Sequence, residues 1–474
     1  MYDYDLIIIG SGPAGEKAAI QAAILGAKVL IIEKGDWPGG ASVLTGTIPS
    51  KAIRETACYI NHLKKNHLHG FEVKVTQQLS ALEVLHRHNL ISNRRAKGIL
   101  INFKKYNIAY IQAKASFIDR HQLALTYPNQ DSKSSPSIKK VSAPKIIIAV
   151  GSKPFHPDDV GFDHKFIVDS DSILKISEIP KSLIIYGGGV IGCEYASIFS
   201  YLGTKIFLVS PQADLLSFLD KEISSCIKSI YEKSGITIYL DAQYEKISQK
   251  NDQVSLKLKS GEIISANMLL YANGRQGNTK GLCLDNCGLN VNQKSQLDVN
   301  KCFQTSINNI YAVGDIIGFP ALASTANGQG RSAAQHAIKG HFEFSDLKNI
   351  PIGIYTIPEV SMVGLSEEAL NEKKIPYEKG ICHFKDLARA ELLGEEEGLL
   401  KLLFSPKSKK LLGVHIIGYY ASDLIHIGQA IIYYGGTIDY FLKEVINFPT
   451  LSSAYKVAAW DAIGRLNETF NEQL

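Results

Sequence analysis

Gly10, Gly12 and Gly15 follow a short apolar run and open an Ala-rich stretch, and Gly187, Gly189 and Gly192 repeat that arrangement much later. Both sets fit G-x-G-x-x-G, a spacing that brings a peptide backbone against a pyrophosphate. The first glycine of each set permits a tight turn, the second admits the phosphates, and the third lets a helix pack closely on a strand. The helix start then offers N–H groups and partial positive charge to the anion. One match of this kind is weak, but two copies in strand–turn–helix–strand context are strong. The segments DLIIIGSGPAGEKAAIQAAILGAKVLIIE (5–33) and SLIIYGGGVIGCEYASIFSYLGTKIFLVS (182–210) share one register, since Gly10 to Glu33 spans as many positions as Gly187 to Ser210. Two dinucleotide sites are therefore expected.

The residue closing the second strand of each copy carries the chemistry of the adenosine ribose. Glu33 offers a carboxylate to ribose hydroxyls and suits an unphosphorylated ribose such as that of FAD. Ser210 removes the charge that would repel a 2′-phosphate, but Pro211, Gln212 and Ala213 follow it, with no arginine to clasp one. The second site should admit NADP(H) without selecting it strongly, and NAD(H) stays open. Two further groups could serve a redox ring. A cation such as Lys51 beside a reduced ring would stabilise its negative charge, and a carboxylate such as Glu194 would keep that cation placed. Read alone, Lys51 is a lysine opening a helix and Glu194 an early-helix acid favoured by the dipole.

These groups need elements to hold them. A chain of 474 residues should hold about three domains. KIIIAVGSKP (145–154) is an apolar strand reaching Gly151, LLYANGRQGN (269–278) a strand ending in a polar turn with Gly274, and IYAVGDIIG (310–318) a strand delivering Asp315. Residues 51–66 and 77–99 are expected to be helical, and NQDSKSSPSIKK (129–140) a solvated hairpin loop. From about 350 the pattern turns to strands such as LLKLLFSP and LLGVHIIG, then a helix from Ala421 to Tyr434, an α+β region.

Composition excludes several classes. Hydrophobic residues make up 45% and charged residues 20%, with a net charge of +5, so nothing argues for nucleic acid. No targeting or membrane segment is evident, which together with seven scattered cysteines points to a cytoplasmic protein with reduced thiols. Cys283 and Cys287 are the only close pair, and two cysteines alone make no metal site. His62, His67, His69, His86 and His88 lack the i, i+4 spacing of a metal-binding helix and are expected at the surface, so no metal is expected. His415 and His426 are expected to be structural or interface residues. Tyr433, Tyr434, Phe441, Phe448 and Trp460 should form a core or dimer seam.

The chain resembles the flavoproteins with two dinucleotide-binding domains that include lipoamide dehydrogenase, glutathione reductase and mercuric reductase. Within that family it is most similar to the soluble, Si-specific pyridine nucleotide transhydrogenases. The resemblance rests on GTIPSKAIRE (46–55), DSDSIL (169–174), VIGCEYASIF (190–199), LLYANGRQGNT (269–279), YAVGD (311–315), GIYTIPEV (353–360), DLIHIGQAI (423–431) and FPTLSSAYKVAA (448–459); residues 60–145 match more loosely. It implies an α/β fold of two Rossmann-type domains, for FAD and NAD(P), plus a C-terminal α+β dimerisation domain. The segments would be 1–154 and 278–347 for FAD, 155–277 for NAD(P), and 348–474 for a homodimer or larger homo-oligomer. It places Gly10, Gly12, Gly15, Glu33, Lys51, Gly151 and Asp315 at FAD, and Gly187, Gly189, Gly192, Glu194, Ser210 and Gly274 at NAD(P). Lys51 and Glu194 would be the catalytic pair beside the flavin.

The disulfide reductases of this family carry a redox-active cysteine pair before I-P-S-K, and here Ser42 and Thr47 stand there. They also use a His before the C-terminal Pro-Thr and a Glu five residues on, replaced here by Phe448 and Ser453. Neither a dithiol nor its acid/base partner remains. The transhydrogenases share the Thr and the aromatic residue, but usually keep the first Cys, the Glu, and an Arg where Gln212 stands. Hydride transfer between nucleotides through FAD needs no thiol. Three functions compete at this point: transhydrogenase, an NAD(P)H oxidase or diaphorase using oxygen or a quinone, and a weakly active nucleotide-binding sensor.

Overall fold

The computed structural model describes residues 1–65, 81–127, 138–341 and 349–472. They form two compact units. The first comprises 1–53, 82–157 and 274–345, and the second 54–81, 158–273 and 346–474.

The first unit is built on a parallel five-stranded sheet. Its order is Ile310–Ala312, Lys145–Ile148, Leu6–Ile9, Val29–Glu33 and Ala109–Gln112. Leu6 pairs with Val29 on one side and Lys145 on the other, so the strand leading to Gly10 lies at the centre. Leu6, Ile7 and Ile8 are fully buried, as an inner strand covered on both faces requires. The helix Pro13–Ile24 buries Ala14, Gly15, Ala18, Ala19 and Ala22 and packs along the helix Ala323–Lys339. A Cβ on Gly330 would meet the Ala14 carbonyl oxygen at 2.1 Å, so the two helices approach closer than larger residues would allow.

The second unit repeats the sheet with Thr237–Tyr239, Lys205–Val209, Ser182–Tyr186, Met268–Tyr271 and Ile167–Val168. Again the strand before the glycines is central, with Leu183 paired to Ile206 and Met268. The same unit holds an antiparallel sheet of Ile352–Ile354, Glu359–Gly364, Leu411–Gly418, Leu399–Phe404 and Glu378–His383. The helices Ala421–Tyr433 and Ser453–Glu472 cover it, with Tyr455, Ala458, Ala459 and Ala462 fully buried. The fold is α/β with two Rossmann-type sheets and an α+β C-terminal region.

Local expectations fared variously. The helix expected from residue 51 starts at Thr47 and runs to Lys65, and the next spans Ala81–Lys105. His88 is not a surface residue: it is only 4% exposed. It lies on the face of the Ala81–Lys105 helix that buries Val84, Ser92, Ala96, Ile99 and Phe103, a spacing of three and four that faces the core. His62 is exposed; His67 and His69, and most of 129–140, lie outside the described residues. Phe441 is fully buried, whereas Tyr433, Tyr434, Phe448 and Trp460 are exposed on the single chain. Among the described residues, no helix is long and apolar enough to cross a membrane.

Candidate active site

Each glycine turn is built the same way. Gly10 has φ +100° and Gly187 φ +130°, and a Cβ there would strike the carbonyl oxygens of Ala149 (2.4 Å) and Ala272 (2.6 Å). A Cβ on Gly15 would lie 1.9 Å from the Gly10 oxygen, and on Gly192 1.8 Å from the Gly187 oxygen. Only glycine allows the helix to start so close to the strand end. Gly12 and Gly189 are the N-caps of the two helices, and neither helix has a side-chain cap. A Cβ on Gly189 would meet nothing within 4 Å. Uncapped N–H groups facing open space are what a pyrophosphate needs. The first cradle is narrower, since a Cβ on Gly40 would meet the Gly12 Cα at 2.9 Å.

The strand ends differ. Glu33 Oε2 accepts from the Ser11 N–H (3.0 Å) and the Ser11 hydroxyl (2.6 Å), and Oε1 from the Gly35 N–H (2.9 Å). Its carboxylate is thus fixed by Ser11 of the glycine turn and by Gly35 of the following loop while retaining lone pairs for further donors. Ser210 is fully buried, and its hydroxyl accepts the Gln212 N–H at 3.1 Å.

Gly151 and Gly274, expected at different nucleotides, lie in the same unit, at opposite ends of one short ladder. Ser152–Pro154 pairs antiparallel with Arg275–Gly277, Phe155 donates to the Gly274 carbonyl, and Asn278 to that of Gly151. This ladder carries a relay that sequence reasoning missed. Arg275 Nε donates to Ser152 Oγ (2.8 Å) and its Nη2 to the Ser152 carbonyl (2.9 Å), while the Ser152 hydroxyl donates to Asp315 Oδ2 (2.8 Å). Gln329 accepts the Gly314 N–H at 2.8 Å and so holds the turn that presents Asp315. Arg275 stands inside the ANGRQGN stretch, where its polarity after an apolar strand was the available signal.

The predicted site residues fall into two sets. Gly10, Gly12, Gly15, Glu33, Lys51, Gly151, Asp315 and Gly274 belong to the first unit; Gly187, Gly189, Gly192, Glu194 and Ser210 belong to the second. Lys51 lies in the second turn of Thr47–Lys65, with Nζ 3.3 Å from Ser50 Oγ. Glu194 is buried on the helix Val190–Tyr201, and its Oε1 accepts the Tyr355 N–H at 2.9 Å.

A separate ionic cluster lies outside every predicted residue. Lys401, 0% exposed in the apolar strand Leu399–Phe404, meets Asp220 Oδ1 and Glu222 Oε2 at 2.9 Å each, and also Glu367. Burial would lower the Lys401 pKa, but hydrogen bonds to Glu367, Asp220 and Glu222 leave it raised. Burial raises the Asp220 carboxyl, yet His415 and Lys401 together leave it lowered. The three acids are close enough to hold a cation, and the ammonium fills that role. A lone lysine within LLKLLF was the sequence signal. His415 is buried, with Nε2 3.0 Å from the Leu365 carbonyl, and His426 is exposed beside Gln429. Burial pushes the Cys58 and Cys226 thiols up to about 11 and that of Cys382 to about 12, far from neutral-pH thiolates.

Comparison with known proteins agrees with this geometry. The family model described as pyridine nucleotide-disulphide oxidoreductase matches residues 4–330, and the model of the dimerisation domain of that family matches 350–459. A soluble pyridine nucleotide transhydrogenase of Shigella flexneri is 44% identical over 470 residues, covering 98% of this chain and 99% of its own. One from Enterobacter sp. (strain 638) is 43% identical over 468 residues with the same coverage. Among solved structures, LpdA from Mycobacterium tuberculosis has a TM-score of 0.87 at 23% identity, covering 96% of this chain and 99% of that one, which speaks to fold alone. The HOCl-induced flavoprotein disulfide reductase RclA from Escherichia coli has a TM-score of 0.87 at 25% identity, covering 97% and 99%.

Proposed function

The chain belongs to the pyridine nucleotide-disulphide oxidoreductase family, and from that footing we propose that it is an FAD-dependent transhydrogenase, moving hydride between NADPH and NAD+, or NADH and NADP+, without a redox-active disulfide. The observation that carries this reading is the presence of two uncapped glycine cradles in a chain that aligns over 98% of its length with soluble transhydrogenases. Ser42 and Thr47 in place of a cysteine pair support it, since neither can form a thiolate.

In this reading the first cradle, Gly10, Gly12 and Gly15, takes the FAD pyrophosphate, Glu33 the adenosine ribose, and Asp315 the ribityl end, with Gly151 lining the path. The second cradle, Gly187, Gly189 and Gly192, takes NAD(P), with Ser210 at the ribose and Gly274 at the crossover. The flavin, when bound, supplies the hydride-accepting and hydride-donating chemistry. Lys51 would supply a cation to stabilise negative charge on that ring, and Glu194 would be the carboxylate paired with it. Serving both nucleotides in turn at one site gives a ping-pong cycle, and Ser210 without a basic neighbour suits a site that must admit both. The FAD segments are 1–154 and 278–347, the NAD(P) segment 155–277, and 348–474 forms the homodimer contact of a cytoplasmic enzyme.

Anaerobic stopped-flow absorbance tests this. The yellow protein is mixed with NADPH or NADH and chased with thio-NAD+. Flavin bleaching followed by thio-NADH formation is expected. Bleaching without nucleotide transfer would overturn the transhydrogenase reading in favour of an oxygen or quinone acceptor, and no bleaching would move the protein to a nucleotide-binding sensor.

A further inference from the structure

In the segment joining Ile352–Ile354 to Glu359–Gly364, one backbone group from each of three consecutive residues is held by a buried side chain from elsewhere in the second unit. The Tyr355 N–H donates to Glu194 Oε1 (2.9 Å), the Thr356 carbonyl accepts from Arg54 Nε (3.2 Å), and the Ile357 N–H donates to Ser197 Oγ (3.1 Å). The Thr356 carbonyl and the Ile357 N–H are two ends of one peptide plane, so Arg54 and Ser197 together fix its orientation. Glu194 takes the N–H two peptide bonds' reach away along the same backbone, on the helix that also carries Ser197.

Arg54 is suited to this position in a way lysine is not. It is 5% exposed, and its planar fork meets three separate acceptors: the Thr356 carbonyl from Nε, Glu359 from Nη2 at 3.2 Å, and Glu55 from Nη1 at 2.6 Å. Glu359, 6% exposed, in turn accepts the Ser422 N–H at 3.1 Å, which ties the far end of the segment to the helix Ala421–Tyr433. Arg54 also follows Lys51 by one helical turn on Thr47–Lys65.

We propose that Arg54 is a positioning residue for Glu194, acting through the Tyr355–Glu359 segment that both side chains grip. This rests on the reading of Glu194 as a member of the catalytic pair. The Tyr355 N–H sets where the carboxylate stands, and the Arg54 fork, with its Glu359 partner, sets where Tyr355 stands. Loss of the carbonyl bond lets the segment turn and moves Glu194 with it. A displacement of that kind slows hydride transfer without removing a nucleotide contact.

Arg54→Lys keeps a cation opposite Glu359 but replaces the rigid fork, which reaches the carbonyl from Nε and the carboxylate from Nη2, with a single shorter-reaching ammonium that no longer fixes the two at once in one geometry. The variant is expected to fold, hold FAD and saturate with NADPH as the wild type does, while its limiting rate of anaerobic flavin bleaching drops about tenfold. In a Glu194→Gln background the same change is expected to cost less than about twofold, because its route of action is already lost. The double variant Arg54→Met/Glu359→Gln, which leaves no unpaired buried charge, should match the slow rate of Arg54→Lys with its FAD content intact. A wild-type rate in Arg54→Lys, or an equal loss with and without Glu194, would overturn the proposal while leaving the transhydrogenase reading standing. Failure of the wild type itself to bleach would overturn both.

Discussion

The two glycine units share a backbone and part company in their side chains. In each, a central buried strand ends in a positive-φ glycine, the third glycine tucks under the carbonyl of the first, and the helix begins uncapped. At the strand end, Glu33 is braced by three donors, two from Ser11 of the glycine turn and one from Gly35, while the Ser210 hydroxyl receives one. In the proposed reading the backbone cradle meets phosphate, common to every dinucleotide, and the strand-end residue meets the ribose, where one unit offers a charge and the other a neutral hydroxyl. A rigid carboxylate suits a cofactor retained through turnover; a neutral hydroxyl suits nucleotides that differ by a phosphate and must exchange.

The most severe test of the shared backbone is to fill it. Gly15→Ala and Gly192→Ala each place a methyl within 2 Å of a carbonyl oxygen, at 1.9 and 1.8 Å. Gly15→Ala is expected to yield colourless protein without FAD. Gly192→Ala is expected to stay yellow and lose bleaching by either nucleotide. Equal loss of FAD in both would dissolve the assignment of the two cradles.

A second contrast is anchoring. The helix Lys221–Lys233 of the second unit starts at Asp220, which is joined to the buried Lys401. Lys401→Met strands the acids and should cost about 3–5 kcal/mol in urea unfolding. Asp220 and Glu367 have folded pKa values below their usual 3.8 and 4.5, so their contribution is present above those values and lost as pH falls through the lowered ones. Lys401 is raised from 10.5, so its share holds below that and is lost only as pH climbs past the folded value. The stability gap between wild type and variant should therefore narrow as pH falls through the acids' range and again as pH climbs past that of the lysine. A gap that does not narrow in acid would remove this cluster from the account of stability.

Smaller effects separate the strand ends. Glu33→Gln should weaken FAD binding about tenfold to a hundredfold, the worth of charge-assisted hydrogen bonds, as read by flavin release on dilution. Ser210→Ala should change nucleotide half-saturation by only about threefold. Ser210→Glu should turn the second site against NADPH by about tenfold relative to NADH, through repulsion of the 2′-phosphate. Equal responses to NADH and NADPH in that variant would mean that Ser210 does not face the ribose.

Much of this was legible in the chain. The glycine spacing, the β-branched runs before it and the acid or hydroxyl closing the second strand are local patterns, and local patterns carry backbone geometry. His88 was misread because a histidine in a polar helix looks solvated until the three-and-four spacing of its buried neighbours is weighed. Arg275, Arg54 and Lys401 had signals, each a charge set in or beside an apolar run, but no sequence rule names their partners. Asp315 and Ser152 are far apart in the chain, as are Arg54 and Thr356, or Lys401 and Asp220.

The sequence by itself determined two G-x-G-x-x-G turns in strand–turn–helix–strand context, the absence of a cysteine pair before I-P-S-K, and a carboxylate at one strand end against a hydroxyl at the other. Those properties depend on residue type and short spacing, which the chain carries whatever it packs against. Only the tertiary structure decided which buried charges are paired, that Ser152 and Arg275 stand behind Asp315, and that one backbone segment is gripped by Glu194, Ser197 and Arg54. The reason is physical: a buried charge or backbone group needs a partner within hydrogen-bonding distance, and the fold alone decides which distant residue comes that close.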